Sequence, residues 1–177
     1  MRQCFEKSDI QNNRYWYALY TRPRFEKKIE KKLTDLNIEC FLPLKTVTKY
    51  WSDRKKLLEE PLFPSYVFVY ANSKQRYEAL QPDGVVRMVT FSGGPARIPD
   101  EQIEAVRRIL HSGYLPTVDN NLSKGDRVEI IAGPLIGLKG FVSEPRGHHY
   151  FSIFIDGICQ SMSINIDAGC LKRIADN

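Results

Sequence analysis

The chain has 177 residues, 42% hydrophobic and 27% charged, the balance of a folded globular protein and not of a disordered one. Twenty-six Lys and Arg against twenty-one Asp and Glu give a net charge of +5 and a sequence pI near 9.0, which favours an acidic partner, nucleic acid first. No apolar run reaches the roughly 20 residues of a membrane span, and Met1–Asn13 lacks the apolar centre of a signal peptide, so the cytosol is the expected compartment.

Residues 1–14 read as a disordered leader. Tyr15 to Tyr20 is an aromatic strand that stops near Pro23. A helix follows, with Phe25, Ile29, Leu33 and Leu36 as its apolar stripe and Lys27, Lys28, Lys31 and Lys32 on the opposite face. Ile38 to Phe41 predicts a strand. Leu44–Tyr50 and Lys55–Glu59 predict a hairpin around a Ser52-Asp53-Arg54 turn. Its tip and arms hold Lys45, Lys49, Arg54, Lys55 and Lys56 around Tyr50 and Trp51, the densest basic and aromatic cluster of the chain.

Pro61 and Pro64 make the next approach irregular, after which Tyr66-Val67-Phe68-Val69-Tyr70 predicts a central strand with both faces covered. A short helix over 74–80, a strand over 84–91, a Ser92-Gly93-Gly94 turn and a helix opening at Pro99 complete the first part. The order predicts a ferredoxin-like α+β sandwich, with its helices on one face of an antiparallel sheet. We expect one domain over 15–110, a linker over 111–121 and a second domain over 122–177. Five short strands punctuated by glycine predict the second as a small β-barrel.

No nucleophile–base pair, carboxylate pair, metal cluster or phosphate loop is legible, so no enzyme, metal or cofactor is expected. Cys4, Cys40, Cys159 and Cys170 lack CxxC spacing and read as reduced, mostly buried thiols. His148-His149 stand in a predicted loop without a partner at useful spacing.

Lys124-Gly125-Asp126-Arg127-Val128, then Gly133-Pro134, then Gly140-Phe141-Val142 closely resembles a KOW motif, whose known setting is an SH3-like barrel. Trp16-Tyr17, Arg24-Phe25-Glu26, Phe63-Pro64-x-Tyr66-Val67-Phe68-Val69, Gly84-Val85-Val86-Arg87 and Pro99-Asp100-Glu101-Gln102-Ile103 resemble an NGN domain. NGN followed by KOW is the layout of the NusG family of transcription elongation factors, and the resemblance covers about Tyr15 to Ile174. Trp51 to Lys56 followed by Glu59 to Phe63 resembles the UpxY group, operon-dedicated antiterminators of capsular polysaccharide loci related in role to RfaH.

The resemblance implies a monomer that grips the β′ clamp helices of RNA polymerase, bridges the cleft and disfavours pausing. Carried over by motif, the implied contacts are Trp16, Tyr20, Phe63, Ser65 and Tyr66, with Pro64 shaping the turn. Trp16 reads equally well as core, Val67 and Val69 as core, and Phe63 and Tyr66 as contacts. Arg22, Arg24, Lys45, Lys49, Arg54, Lys55 and Lys56 would face upstream or non-template DNA through phosphates, with Tyr50 or Trp51 stacking on bases. Ile136, Phe141, Phe151 and Phe154 are candidates either for barrel core or for a surface recruiting a small-subunit ribosomal protein or a termination factor. The competing readings are a general NusG-type elongation factor and a ribosome-associated RNA-binding KOW protein.

Overall fold

The computed structural model describes residues 13–50, 55–119, 125–143 and 149–174. Cys4, most of the expected leader, Trp51, Arg54 and His148 lie outside the described residues. The chain divides into two compact units, one from Met1–Pro43 with Phe63–Asp100 and the other from Leu44–Leu62 with Glu101–Asn177.

The first unit is built on β1 (Tyr15–Thr21), α1 (Glu26–Asp35), β2 (Glu39–Phe41), β5 (Tyr66–Ala71), α2 (Ser73–Glu78) and β6 (Val85–Met88). The sheet order is β2-β5-β1-β6 with every pair antiparallel, so the aromatic strand Tyr66–Ala71 is central, as its covered faces require. Alternation puts Trp16, Ala18 and Tyr20 opposite Tyr70, Phe68 and Tyr66 on one face, and Tyr17 and Leu19 opposite Val69 and Val67 on the other. Both helices lie on the second face. Arg76 of α2 stands over the Tyr17 ring at 5.3 Å, and Cys40, the partner of Val69, donates to the Glu30 carbonyl of α1. Ile29 and Leu33 are buried and the four lysines of α1 are exposed, as the spacing predicts. Leu36, expected in the stripe, is exposed because the helix ends at Asp35 and the chain then turns through Asn37 at φ 55°.

The predicted strand over 84–91 is interrupted at Val89, and Thr90–Phe91 (β7) instead pairs with Gly94–Pro95 (β8). Gly84 is required where it stands. Its φ is +100°, and a Cβ there would lie 2.3 Å from Cδ1 of the Phe25 ring.

Thr21 Oγ1 is buried and, among the described residues, has no hydrogen-bond partner. An unpaired buried hydroxyl costs more than a methyl of the same shape. Thr21→Val is therefore expected to stabilise the protein by about 1 kcal/mol. The change should raise the melting temperature by about 2–4 °C, read by calorimetry.

The second unit contains the β3 (Leu44–Tyr50) and β4 (Lys55–Pro61) hairpin, α3 (Asp100–His111) and a six-stranded antiparallel sheet. The sheet strands are β9 (Thr117–Asp119), β10 (Asp126–Ile130), β11 (Lys139–Ser143), β12 (Tyr150–Ile155), β13 (Gln160–Asn165) and β14 (Leu171–Arg173), in the order β14-β10-β11-β12-β13-β9. The five predicted strands are all present. The sixth, β9, occupies the middle of the stretch expected as linker. Its Val118 pairs with Met162, and β-branched Thr117 and Val118 suit such an edge position after Pro116. The hairpin and α3 also fall in this unit, with the six-stranded sheet.

Val128, Ile130, Leu135, Phe151, Ile155, Met162 and Ile164 form the core of this unit. The buried hydroxyls of Ser152 and Ser163, directly opposed on β12 and β13, satisfy one another at 2.9 Å. Gly140 admits a close neighbour, since a Cβ there would lie 2.5 Å from the Ser152 carbonyl oxygen.

Candidate functional site

The site begins at the turn Phe63-Pro64-Ser65-Tyr66, which delivers the chain into β5. Phe63 carries 0% exposure and meets Phe68 edge-on at 5.9 Å, while Phe41 stacks against Phe68 at 6.3 Å. Phe63, expected as a contact, is thus placed in the core. The reason is the turn itself: Ser65 has φ +65°, and the Tyr66 N–H donates to the Phe63 carbonyl at 3.2 Å, which folds Phe63 back beneath the sheet face. Trp16 is also buried, 5.3 Å from the Tyr70 ring, with its carbonyl accepting from the Ile98 amide.

What remains accessible is the other half of the group. Pro64 is exposed, and Ser65, Tyr66 and Tyr20 are half-buried. Tyr20 and Tyr66 face each other across the β1–β5 ladder with ring centroids 5.5 Å apart, and the Arg87 guanidinium stands 5.7 Å from the Tyr20 ring. The result is a row of Arg87, Tyr20 and Tyr66 ending at Pro64. Arg87 was named in sequence only as part of a motif. Its place over Tyr20 follows from the β1–β6 register, which a single sequence does not reveal.

Two contacts fix the Ser65 peptide. Its carbonyl accepts from the Thr21 amide at 2.9 Å, and its own N–H donates to Glu26 Oε1 at 2.8 Å. Glu26 is a carboxylate of 4% exposure at the first position of α1, and sequence reasoning assigned it no role.

Arg22 and Arg24 are exposed on the β1–α1 turn, where Arg24 has φ 68° and the Arg22 amide donates to the Gly84 carbonyl at 2.7 Å. On the hairpin, alternation divides the expected basic cluster. Lys45 and Lys49 share one face with Lys56 and Glu60, and Lys55 belongs to the other. Lys49 pairs with Glu60. That hydrogen bond holds the Glu60 carboxyl below the usual carboxylate range, so the pair contributes above that range and fades as pH falls through the lowered value. The hairpin is therefore less positive than its lysines alone indicate.

In the second unit, Phe151 is core, Phe141 and Phe154 are half-buried, and Ile136 is 58% exposed on the turn between β10 and β11. The Ile136 carbonyl accepts from Arg108 of α3 at 2.8 Å. Gln102, one end of the same helix, makes a two-point contact with Asp156, donating to its carboxylate at 2.7 Å and accepting from its amide at 3.1 Å. These pairings join residues far apart in sequence and left no trace in it.

Among the described residues, no group of three or more His, Cys, Asp and Glu could hold a metal ion, and no helix is long and apolar enough to cross a membrane. The cysteines depart from the expectation of burial. Cys159 is exposed, while Cys40 and Cys170 are half-buried, and burial raises the Cys40 thiol above its ordinary range.

The chain thus combines a ferredoxin-like sheet, which presents an aromatic turn, with a six-stranded antiparallel sheet. The family model described as transcription termination factor nusG matches residues 14–107, more than half of the chain. The chain is 24% identical over 173 residues to the transcription termination/antitermination protein NusG of Staphylococcus epidermidis, covering 90% of this chain and 95% of that one. It is 27% identical over 144 residues to the protein of the same name from Streptococcus pyogenes serotype M1, covering 73% and 79%. A solved structure of Thermotoga maritima NusG, concerned with its domain interaction, superposes with a TM-score of 0.53 at 22% identity, covering 92% of this chain and 98% of that one. The chain belongs to the NusG family of transcription termination and antitermination factors, a family of transcription factors and not of enzymes.

Proposed function

We propose that this protein binds RNA polymerase through the surface made by Tyr20, Pro64, Ser65 and Tyr66 and suppresses pausing or termination on dedicated operons such as capsular polysaccharide loci. The observation that carries the reading is the tyrosine pair held 5.5 Å apart at the mouth of a doubly anchored turn. Partly buried tyrosines joined to a rigid scaffold lose little entropy on binding, and such aromatic anchors supply much of an interface's energy. Trp16 and Phe63 serve this surface from beneath.

The partner is the β′ clamp helices, and the hairpin lysines with Arg22 and Arg24 contact upstream or non-template DNA through its phosphates. Ile136, exposed beside the Arg108 contact, is the residue of the barrel best placed to meet a ribosomal protein or a termination factor. The sequence limits expected for the first domain, 15–110, are supported by the family match over 14–107. Dedication to particular operons rests on the resemblance of Trp51–Lys56 and Glu59–Phe63 to the UpxY group. The general-factor reading is favoured by relatives named simply NusG that span 90% of the chain. Mapping transcripts that shorten when the gene is deleted separates the two: a few operons support dedication, and a genome-wide change supports the general factor.

Tyr66→Ala is expected to weaken capture of purified RNA polymerase by roughly 30-fold or more, the size of an interface hot spot, while the circular dichroism spectrum is retained. Unchanged capture would remove this surface from the proposal.

A further inference from the structure

We infer that Glu26 is the positioning residue that holds the Phe63–Tyr66 turn in the shape that presents Tyr66 and Pro64; the inference rests on the reading of that turn as the polymerase-binding surface. Ser65 occupies the left-handed region at φ +65°, a conformation that disfavours any residue with a Cβ and that persists only where the surroundings impose it. Here the imposition is visible. The Ser65 carbonyl is taken by the Thr21 amide at 2.9 Å, and the Ser65 N–H is taken by Glu26 Oε1 at 2.8 Å, from a residue 39 positions away.

The strand end that supplies Thr21 is itself displaced, because the β1–β6 register shifts between Tyr20 and Thr21. Glu26 supplies the other clamp. A buried carboxylate is tolerated only with hydrogen bonds to it, and a charged acceptor holds an N–H more strongly than a neutral one. The first turn of α1, whose preceding residue Phe25 offers no side-chain cap, further favours negative charge at this position. Rotating Ser65 back to negative φ would swing the peptide between Ser65 and Tyr66, pulling Tyr66 off Tyr20 and Pro64 from its exposed place. Glu26 touches no partner. It acts by fixing the residues that do.

The test uses the full chain in four forms: Glu26→Ala, Glu26→Gln, Ser65→Gly and Glu26→Ala with Ser65→Gly. Amide exchange at Ser65 is followed by NMR, and affinity for purified RNA polymerase is measured alongside. Loss of a charge-assisted bond predicts that Glu26→Ala speeds Ser65 exchange about tenfold, with Val67 and Val69 unchanged, and weakens polymerase binding by a similar factor. Glu26→Gln, which keeps an acceptor oxygen, should lose about threefold. Against Ser65→Gly alone, which sets the baseline for loss of the Ser65 side chain from the surface, the double variant should bind almost as tightly, because glycine adopts the left-handed conformation without a Cβ penalty and no longer needs Glu26.

Unchanged Ser65 exchange in Glu26→Ala, or a binding loss from Glu26→Ala that is as large in the Ser65→Gly background as in the wild type, overturns the inference. If Glu26→Ala does not fold, Glu26→Gln with and without Ser65→Gly decides by the same comparison. If the wild-type chain does not bind polymerase, the functional reading fails, and Ser65 exchange still decides whether Glu26 holds the turn.

Discussion

Phe63→Ala is expected to destabilise the protein by about 3–5 kcal/mol, because it removes a fully buried ring from a packed aromatic face and leaves a cavity against Phe68. Phe68 is itself fully buried and in contact with Phe41, so the neighbours have little freedom to collapse into the space. Urea unfolding of the variant should show a lower midpoint with an unchanged slope. The size of this loss bears on how function is tested. A defect in partner binding by Phe63→Ala confounds a missing contact with a missing core, whereas Tyr66, half-buried beside the Tyr20 ring, separates the two. A stability loss under 1 kcal/mol in Phe63→Ala would mean that its ring is not the packed element described.

Gly84→Ala is expected to cost about 2–4 kcal/mol, from a positive φ that a Cβ resists together with overpacking. The added carbon would lie 2.3 Å from Cδ1, 2.8 Å from Cγ and 2.9 Å from Cβ of Phe25. A ring can rotate away, but its Cβ is tied to the backbone at the start of α1, so relief requires moving the helix. Gly84 also accepts the Arg22 amide, and the strain therefore falls on the β1–α1 turn that carries Arg22, Arg24 and Glu26. Thermal unfolding checks the magnitude. A variant as stable as the wild type would show that Phe25 moves freely.

The first sheet was legible because each of its signals is local. Aromatic and β-branched runs bounded by Pro23, Pro61 and Pro64, with Ile29 and Leu33 one helical turn apart, set both the elements and their order. The ferredoxin-like arrangement then follows from that order. Local signals misjudged two kinds of residue. Phe63, at the entry to the strand, reads as a contact, yet the left-handed Ser65 turns it inward, and nothing in a Pro-Ser dipeptide announces that conformation. Thr117–Asp119 was read as linker because breakers surround it. Its strand exists only through pairing with β13, 40-odd residues later in the chain.

The same limit hid the anchors of the site. Glu26–Ser65, Gln102–Asp156 and Arg108–Ile136 are each long-range polar pairs, visible once the backbone has brought them together and not before. The hairpin shows a further limit. Its lysines were read as one cluster, but strand alternation divides Lys45, Lys49 and Lys56 from Lys55 and returns Glu60 to the same face as Lys49. Charge content was legible in sequence, and charge geometry was not.

The central claim is that a folded, undamaged surface around Tyr66 binds RNA polymerase. Its most direct measurement is the dissociation constant of the purified chain for core polymerase, beside that of Tyr66→Ala, with melting temperatures recorded for both. The account predicts binding by the wild type, a loss of roughly 30-fold or more in Tyr66→Ala, and melting temperatures within a few degrees of each other. Equal affinities in two equally stable proteins would contradict it.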